Sequence, residues 1–216
     1  MEKLYPNSGV EVRGLVARFY DQIMDGASLG FYPRFIRSAV DKMNIQPEDH
    51  ILDLGCGTGR NSLLMHSRLG EKGEIVGVDI SPIMEKHFMK NTRNVSRVSF
   101  LHQRIDVPFT LEHPFDKILI SFVIHGFPHE SRLQIIDNIH SNLKPGGSLF
   151  ILDYAEFSFA RMPAFHRILF KLIECEYAFD HIERNWKNIL ENHGFGGFKE
   201  HFWLKNYIRL LEASKK

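Results

Sequence analysis

Three glycines at alternate positions, Gly55, Gly57 and Gly59, close an apolar run in ILDLGCGTGRNS, residues 51–62. Glycines at such a place let the backbone come close to a ligand, and a helix beginning just after them offers N–H groups that have no partner within the helix. The pattern predicts a nucleotide-like ligand, with a tight strand-to-helix crossing that binds nothing as the alternative. Asp79 ends the next apolar run, EIVGVD, 20 residues beyond Gly59. A carboxylate there can accept both hydroxyls of an adenosine ribose. The dinucleotide fingerprint G-x-G-x-x-G fails in both registers, because its last position is Arg60 counted from Gly55 and Ser62 counted from Gly57. A pyrophosphate ligand, and with it a nicotinamide-dependent oxidoreductase, becomes the weaker reading.

With those residues in view, ILDLGCGTGRNS resembles the first motif of class I S-adenosylmethionine-dependent methyltransferases, and VGVDIS resembles their acidic ribose motif. FDKILISFVIHGF and LKPGGSLFILDY are similar to the fourth-strand and fifth-strand motifs of the same family. The resemblance spans residues 10–213 and is nearest to the ubiquinone/menaquinone-biosynthesis-like group of small-molecule methyltransferases. It implies S-adenosyl-L-methionine as cofactor, with Gly55, Gly57 and Gly59 along the methionine portion and Asp53 holding the amino group through backbone or water. Asp79 would then bind the ribose, and Ile80 would pack on the adenine. The family's G-D-A-like stretch after the third strand, which contacts the adenine amine, corresponds here to His102-Gln103-Arg104, anchored on Val107-Pro108-Phe109. Gln103 can accept a hydrogen bond without charge, and Asp106 lies close enough in sequence to substitute for it; Arg104 is counted with them. Tyr20, in Arg18-Phe19-Tyr20-Asp21, resembles the family's tyrosine-aspartate pair ahead of the sheet, which implies a contact with the methionine carboxylate. A non-catalytic module that senses the cofactor or its demethylated product would use the same loop.

Methyl transfer from a sulfonium is an in-line displacement, so positioning and water exclusion come before acid–base chemistry. An acceptor that loses a proton needs a base, and His125, in Ser121-Phe-Val-Ile-His125-Gly-Phe-Pro, follows the fourth strand where open α/β sheets place their ligands. A histidine that only orders the loop is the alternative role. His125 and His129 stand four apart, but Gly126 and Pro128 interrupt the helix that a metal pair of that spacing needs. No Asn-Pro-Pro-Tyr type of loop follows Phe122, which disfavours a nucleic-acid base as acceptor. Cys56, between glycines, reads as a small packed residue.

These residues require a particular scaffold. Apolar residues at helical spacing over 11–45 predict two amphipathic helices around a Gly26–Gly30 turn, forming an N-terminal cap over residues 1–46. Strand and helix then alternate: strands at 50–55, 74–80, 98–101, 117–122 and 148–154, with helices after Gly59, after Pro82 and over 130–143. A helix over Ile182–His193, stopped by Gly194, and two strands joined at Lys205-Asn206 complete it. The fold predicted is a single Rossmann-like, doubly wound α/β domain of seven strands, mostly parallel with a C-terminal antiparallel hairpin. An aromatic insertion over 156–180 reads as core, as a lid over an apolar acceptor pocket, or both.

With 27 basic and 26 acidic residues the formal charge is +1, which gives no overall electrostatic footprint for nucleic acid or an anionic membrane. No run approaches the length of a membrane span, so no stable membrane insertion is expected. Cys56 and Cys175 are far apart without metal-type spacing, which fits a reducing cytoplasm. The expected partner is a small-molecule substrate, and a homodimer stays open.

Overall fold

The apolar runs form a sheet buried on both faces. The computed structural model describes Tyr5, Ser8, Gly9 and residues 31–216, so the first expected N-terminal helix, its glycine turn and Tyr20 lie outside the described residues. Helix α1 (Phe31–Lys42) precedes β1 (His50–Leu54), α2 (Arg60–His66), β2 (Glu74–Asp79), α3 (Pro82–Thr92), β3 (Val98–His102) and β4 (Phe115–Ser121). Next come α4 (His129–Asn142), β5 (Leu143–Tyr154), α5 (Ala164–Ile173), α6 (Glu176–Ile182), α7 (Trp186–Asn192), β6 (Phe195–Trp203) and β7 (Ile208–Lys215). The seven strands lie in the order β3-β2-β1-β4-β5-β7-β6. Strands β1 to β5 are parallel, and β7 runs antiparallel between β5 and β6. The seven-stranded, mostly parallel sheet with its antiparallel C-terminal hairpin is therefore the architecture expected from the sequence.

Period-two alternation divides the core between two faces. Leu52, Leu54, Ile118, Ile120, Leu149 and Ile151 pack with Ile135 and Ile139 of α4 and with Trp186 of α7. Ile51, Ile75, Leu119, Phe150 and Leu152 point the other way, against Phe35, Ile36, Val40 and Met43 of the α1 segment. Between β1 and β4 the sheet order reverses, and that switch point opens at the carboxyl ends of the strands, where a ligand crevice forms in such folds.

One element departs from expectation. The helix predicted over Ile182–His193 starts later, at Trp186, with Ile182 ending α6, because the Asn185 side chain caps α7 by accepting from Asn188 N at 3.0 Å and Trp186 N donates to Glu156 at 3.0 Å. Gly194, with φ 84°, ends α7 as expected. Among the described residues no helix is long and apolar enough to cross a membrane.

The segment after β3 is fastened to α4 by two buried asparagines, Asn138 and, further along at Phe109 O and Leu111 N, Asn142. Asn138 Nδ2 donates to Ile105 O and Val107 O, both at 2.8 Å, while Oδ1 accepts from Phe109 N at 3.3 Å. Asn138→Ala leaves buried backbone groups unpaired and should cost about 1–3 kcal/mol in chemical denaturation, with faster hydrogen exchange confined to residues 103–109. Wild-type exchange in that segment would show that Asn138 does not hold it.

Candidate cofactor and acceptor site

The glycine loop is pinned to the neighbouring strand before it reaches α2. Gly55 N and Cys56 N donate to Val78 O at 2.8 and 3.1 Å. The three glycines answer different constraints. A Cβ on Gly55 would lie 2.4 Å from Val123, and one on Gly59 2.8 Å from the Phe88 ring, so both are fixed by packing. Gly57 has φ +53° and nothing within 4 Å of a Cβ, so its backbone faces open space. Cys56 is buried, as expected of a packed residue, and burial pushes its thiol pKa well up.

Two carboxylates back this loop. Asp79 Oδ2 accepts from Gly57 N at 3.0 Å and Oδ1 from Ser81 N at 2.8 Å, while Gln103 N donates to Asp79 O at 3.2 Å. Burial raises the Asp79 pKa, and the backbone donors at Ser81, Gly57 and Ile80 oppose that rise. Ser81 also caps α3, with Pro82 in the first turn, which sets where the chain leaves Asp79. Asp53 is almost wholly buried; its Oδ2 accepts from Ser62 Oγ at 2.6 Å, and its Oδ1 takes no hydrogen bond from any described residue. Burial pushes its carboxyl up to about 7, against the Ser62 hydrogen bond and with the help of the nearby Asp79 charge. A buried carboxylate oxygen lacking a donor, beside a glycine that faces open space, fits a ligand carrying a cationic N–H group.

Along the segment after β3, Gln103 Nε2 donates to Arg104 O at 3.0 Å. Arg104 and Asp106 are committed to each other in a two-pronged pair at 2.9 and 2.8 Å, and the guanidinium lies 5.5 Å over the Tyr5 ring. Ile80 is half-buried against the α4-side core.

On the other side of the switch point, Phe122 takes φ 52° at the end of β4, and the chain turns into a short 3-10 segment, Ile124–Gly126, that presents His125. A bulky residue in that conformation is backbone strain, held here by Phe122's contacts with Tyr32, Phe35 and Tyr154. His125 Nδ1 lies 2.7 Å from Asp153 Oδ1, and its backbone N donates to Asp153 Oδ2 at 3.3 Å. Its Nε2 lies 3.5 Å from Glu174 Oε2, and Glu174 Oε1 accepts from Tyr154 Oη at 2.5 Å. Burial alone would lower the His125 pKa, but Asp153 and Glu174 outweigh it and hold the imidazole above its ordinary value. His181, 6.3 Å from the His125 ring, is pushed down to about 3 by burial and stays neutral. Arg132, fully buried, donates to Ile124 O and His125 O at 3.1 and 3.0 Å and fixes the turn from behind.

The expected base is therefore an imidazole between two carboxylates, with Nε2 directed at Glu174. Sequence reasoning missed Asp153, Glu174, Tyr154 and Arg132. Asp153 was within reach of it, since β4 and β5 are parallel neighbours and both residues stand at carboxyl ends. Glu174 was not, because it enters from between α5 and α6.

The insertion builds a small core of its own from Met162, Phe170, Ala178 and Ile182, flanked by Phe157, Phe159 and Phe179. Phe165 does not line a roof as a lid reading would place it: it is 73% exposed and points to solvent. Gly9 N donates to Gly126 O at 2.7 Å and Gly9 packs on Cys175, so the N-terminal segment, the His125 turn and the insertion meet.

Asp153→Asn should cost about 3–5 kcal/mol near pH 6, where the buried pair is ionised. Because the folded His125 pKa is raised, the pair's stabilisation is complete below the ordinary imidazole value of about 6.5 and fades as pH rises through the folded value. The penalty should therefore shrink as pH is raised through the folded His125 value in denaturant titrations, and a pH-independent penalty would mean that the imidazole does not titrate with this pair.

Residues 51–147 match the family described as a methyltransferase domain. A demethylmenaquinone methyltransferase of Lysinibacillus sphaericus (strain C3-41) is 26% identical over 207 residues, 95% of this chain and 82% of that one. One from Staphylococcus epidermidis is 23% identical over 159 residues, 73% of this chain, and the match spans 65% of that relative's length. Among solved structures, a SAM-dependent methyltransferase from Aquifex aeolicus superposes with a TM-score of 0.63 at 17% identity, covering 84% of this chain and 89% of that one. Magnesium protoporphyrin IX methyltransferase from Synechocystis PCC 6803, with SAH bound, gives a TM-score of 0.64 at 20% identity, covering 86% and 84%. Residues 51–147 thus match a methyltransferase domain, the chain is similar in sequence to demethylmenaquinone methyltransferases, and it shares its fold with S-adenosylmethionine-dependent methyltransferases.

Proposed function

We propose that this chain transfers the methyl group of S-adenosyl-L-methionine to a small, mostly apolar or aromatic acceptor of the quinone-like kind. The observations that carry the cofactor side are the buried Asp53 Oδ1, which has no hydrogen-bond partner among the described residues, and the open space at Gly57, four residues on in the same loop. The acceptor class is supported by the similarity to demethylmenaquinone methyltransferases and by the aromatic side chains of Phe122 and Tyr154 next to His125. The cofactor, when bound, supplies an electrophilic methyl on a sulfonium.

Every other part of the work falls to the chain. Asp53 balances the charge of the amino group, and Gly55, Gly57 and Gly59 keep side chains out of the way. Asp79 holds the ribose with the lone pairs that Gly57 N and Ser81 N leave over. Gln103 meets the adenine edge, Ile80 its face, and Tyr20 the methionine carboxylate; Arg104 and Asp106, paired to each other, shape the segment that carries Gln103. His125, with Nδ1 fixed on Asp153, handles the acceptor's proton at Nε2 together with Glu174. Cys56 and Cys175 are both free thiols, which supports a reducing cytoplasmic setting.

Turnover of labelled cofactor with a panel of quinone-like and other aromatic acceptors is the direct test. Acceptor-dependent S-adenosylhomocysteine formation is expected, and His125→Ala should lower turnover by about 10²–10⁴-fold with cofactor affinity nearly unchanged. Cofactor binding without any product would leave a sensing module instead. A second test uses Asp53, whose carboxyl sits at about 7 in the free protein. Only its anion attracts a cationic amino group, so affinity should fall below that pH by up to roughly tenfold per unit, and Asp53→Asn should flatten the profile. A profile unchanged by Asp53→Asn would remove this residue from the methionine end of the site.

A further inference from the structure

The catalytic end of the molecule carries a surface that neither the cofactor nor the acceptor reading uses. On α5, Phe165 and Ile168 are 73% and 61% exposed, three residues apart on one side of a ten-residue helix. At the tip of the β6–β7 turn, Leu204 is 51% exposed. The two features are neighbours: the His166 ring, beside Phe165, stacks edge-on to Tyr207 at 5.6 Å, and Tyr207 N closes the turn onto Leu204 O at 3.2 Å. Ile208, next in the chain, pairs with Tyr154 at the carboxyl end of β5, so the turn stands at the same end of the sheet as His125.

The two segments that carry these side chains hold cations and no acids, with exposed Glu176 following at the start of α6. Residues 157–173 and 201–207 contain no Asp or Glu, yet hold Arg161, Arg167, Lys171 and Lys205. Arg161, Lys171 and Lys205 are exposed. The next carboxylate along the chain, Glu174, is turned inward onto Tyr154 and His125. A protein of formal charge +1 thus concentrates four cations around exposed aromatic and aliphatic side chains.

We propose that this face, α5 together with the β6–β7 turn, docks the protein on the surface of an anionic lipid bilayer. An apolar stripe flanked by Arg and Lys is the chemistry of a helix lying in the headgroup region, where apolar side chains sink among the acyl chains and cations meet anionic headgroups. A second copy of this chain is the weaker occupant, because a two-fold contact through this face would set the four cations of one copy against those of the other. Docking here turns the carboxyl ends of the strands, and with them the His125 turn, toward the bilayer. The association needs neither cofactor nor acceptor, so it stands or falls separately from the methyl-transfer reading.

The test is co-sedimentation of the full chain with vesicles of phosphatidylcholine alone or mixed with phosphatidylglycerol. Binding is expected to the anionic vesicles only, and to weaken as salt is raised. Phe165→Asp/Ile168→Asp should reduce binding by about tenfold or more, and Arg167→Glu/Lys171→Glu by roughly fivefold for each cation lost. All four substitutions lie on the outer helix, so the melting curve and cofactor affinity serve as folding controls. The proposal is overturned by no sedimentation with anionic vesicles at low salt, or by binding that the Phe165/Ile168 variant leaves intact. Concentration-dependent dimerisation abolished by that same variant would also overturn it and assign the face to a second copy.

Discussion

Asp79 is the residue on which the proposed cofactor half of the site depends. It stands at the carboxyl end of β2 and holds three segments at once: the glycine loop through Gly57 N, the start of α3 through Ser81 N, and the segment after β3 through its own backbone oxygen. Two charge-assisted hydrogen bonds from backbone N–H groups partly offset the cost of burying an anion, which still raises the Asp79 pKa. The same charge raises the neighbouring Asp53 carboxyl, so the two acids are electrostatically linked and a ligand that brings a positive charge relieves both.

Asp153 plays the matching part in the proposed acceptor half. It is buried on β5 and gathers His125, the His125 backbone and Tyr154 N into one polar group, while Glu174 reaches the same histidine from the insertion. An ion pair of this kind confers little net stability against an apolar replacement, but losing one partner is costly. Its effect is to fix the tautomer and direction of His125 and to tie the insertion to the sheet. Strain at Phe122, φ 52°, is concentrated in the same place, where the chain leaves β4 to form the His125 turn.

The glycine loop and the strand-end place of Asp79 could be read in the sequence because what sets them is local: spacing, backbone conformation and strand-end position all lie within 30 residues. The alternation of strands and helices was equally legible, since burial on both faces forces continuous apolar runs. What could not be read depends on long-range placement. Asp153, 28 residues from His125, becomes its partner only through the pairing of β4 with β5, and Glu174 only through the turn between α5 and α6. The break at Asn185 was hidden by apolar periodicity running across it, although a capping asparagine was there to be seen. Phe165 reads as core by composition but faces solvent, and a whole-chain charge near zero hides an acid-free, cationic surface beside it.

The most direct measurement of the central claim is calorimetric titration of the wild-type chain and of Asp79→Ala with S-adenosyl-L-methionine, S-adenosylhomocysteine and a nicotinamide dinucleotide. The account predicts that wild type binds the first two in the micromolar range and ignores the third. It also predicts that Asp79→Ala, folded by its melting curve, loses about 1–3 kcal/mol with both sulfur ligands. Heat with the dinucleotide alone, or an Asp79→Ala affinity equal to wild type, would contradict it.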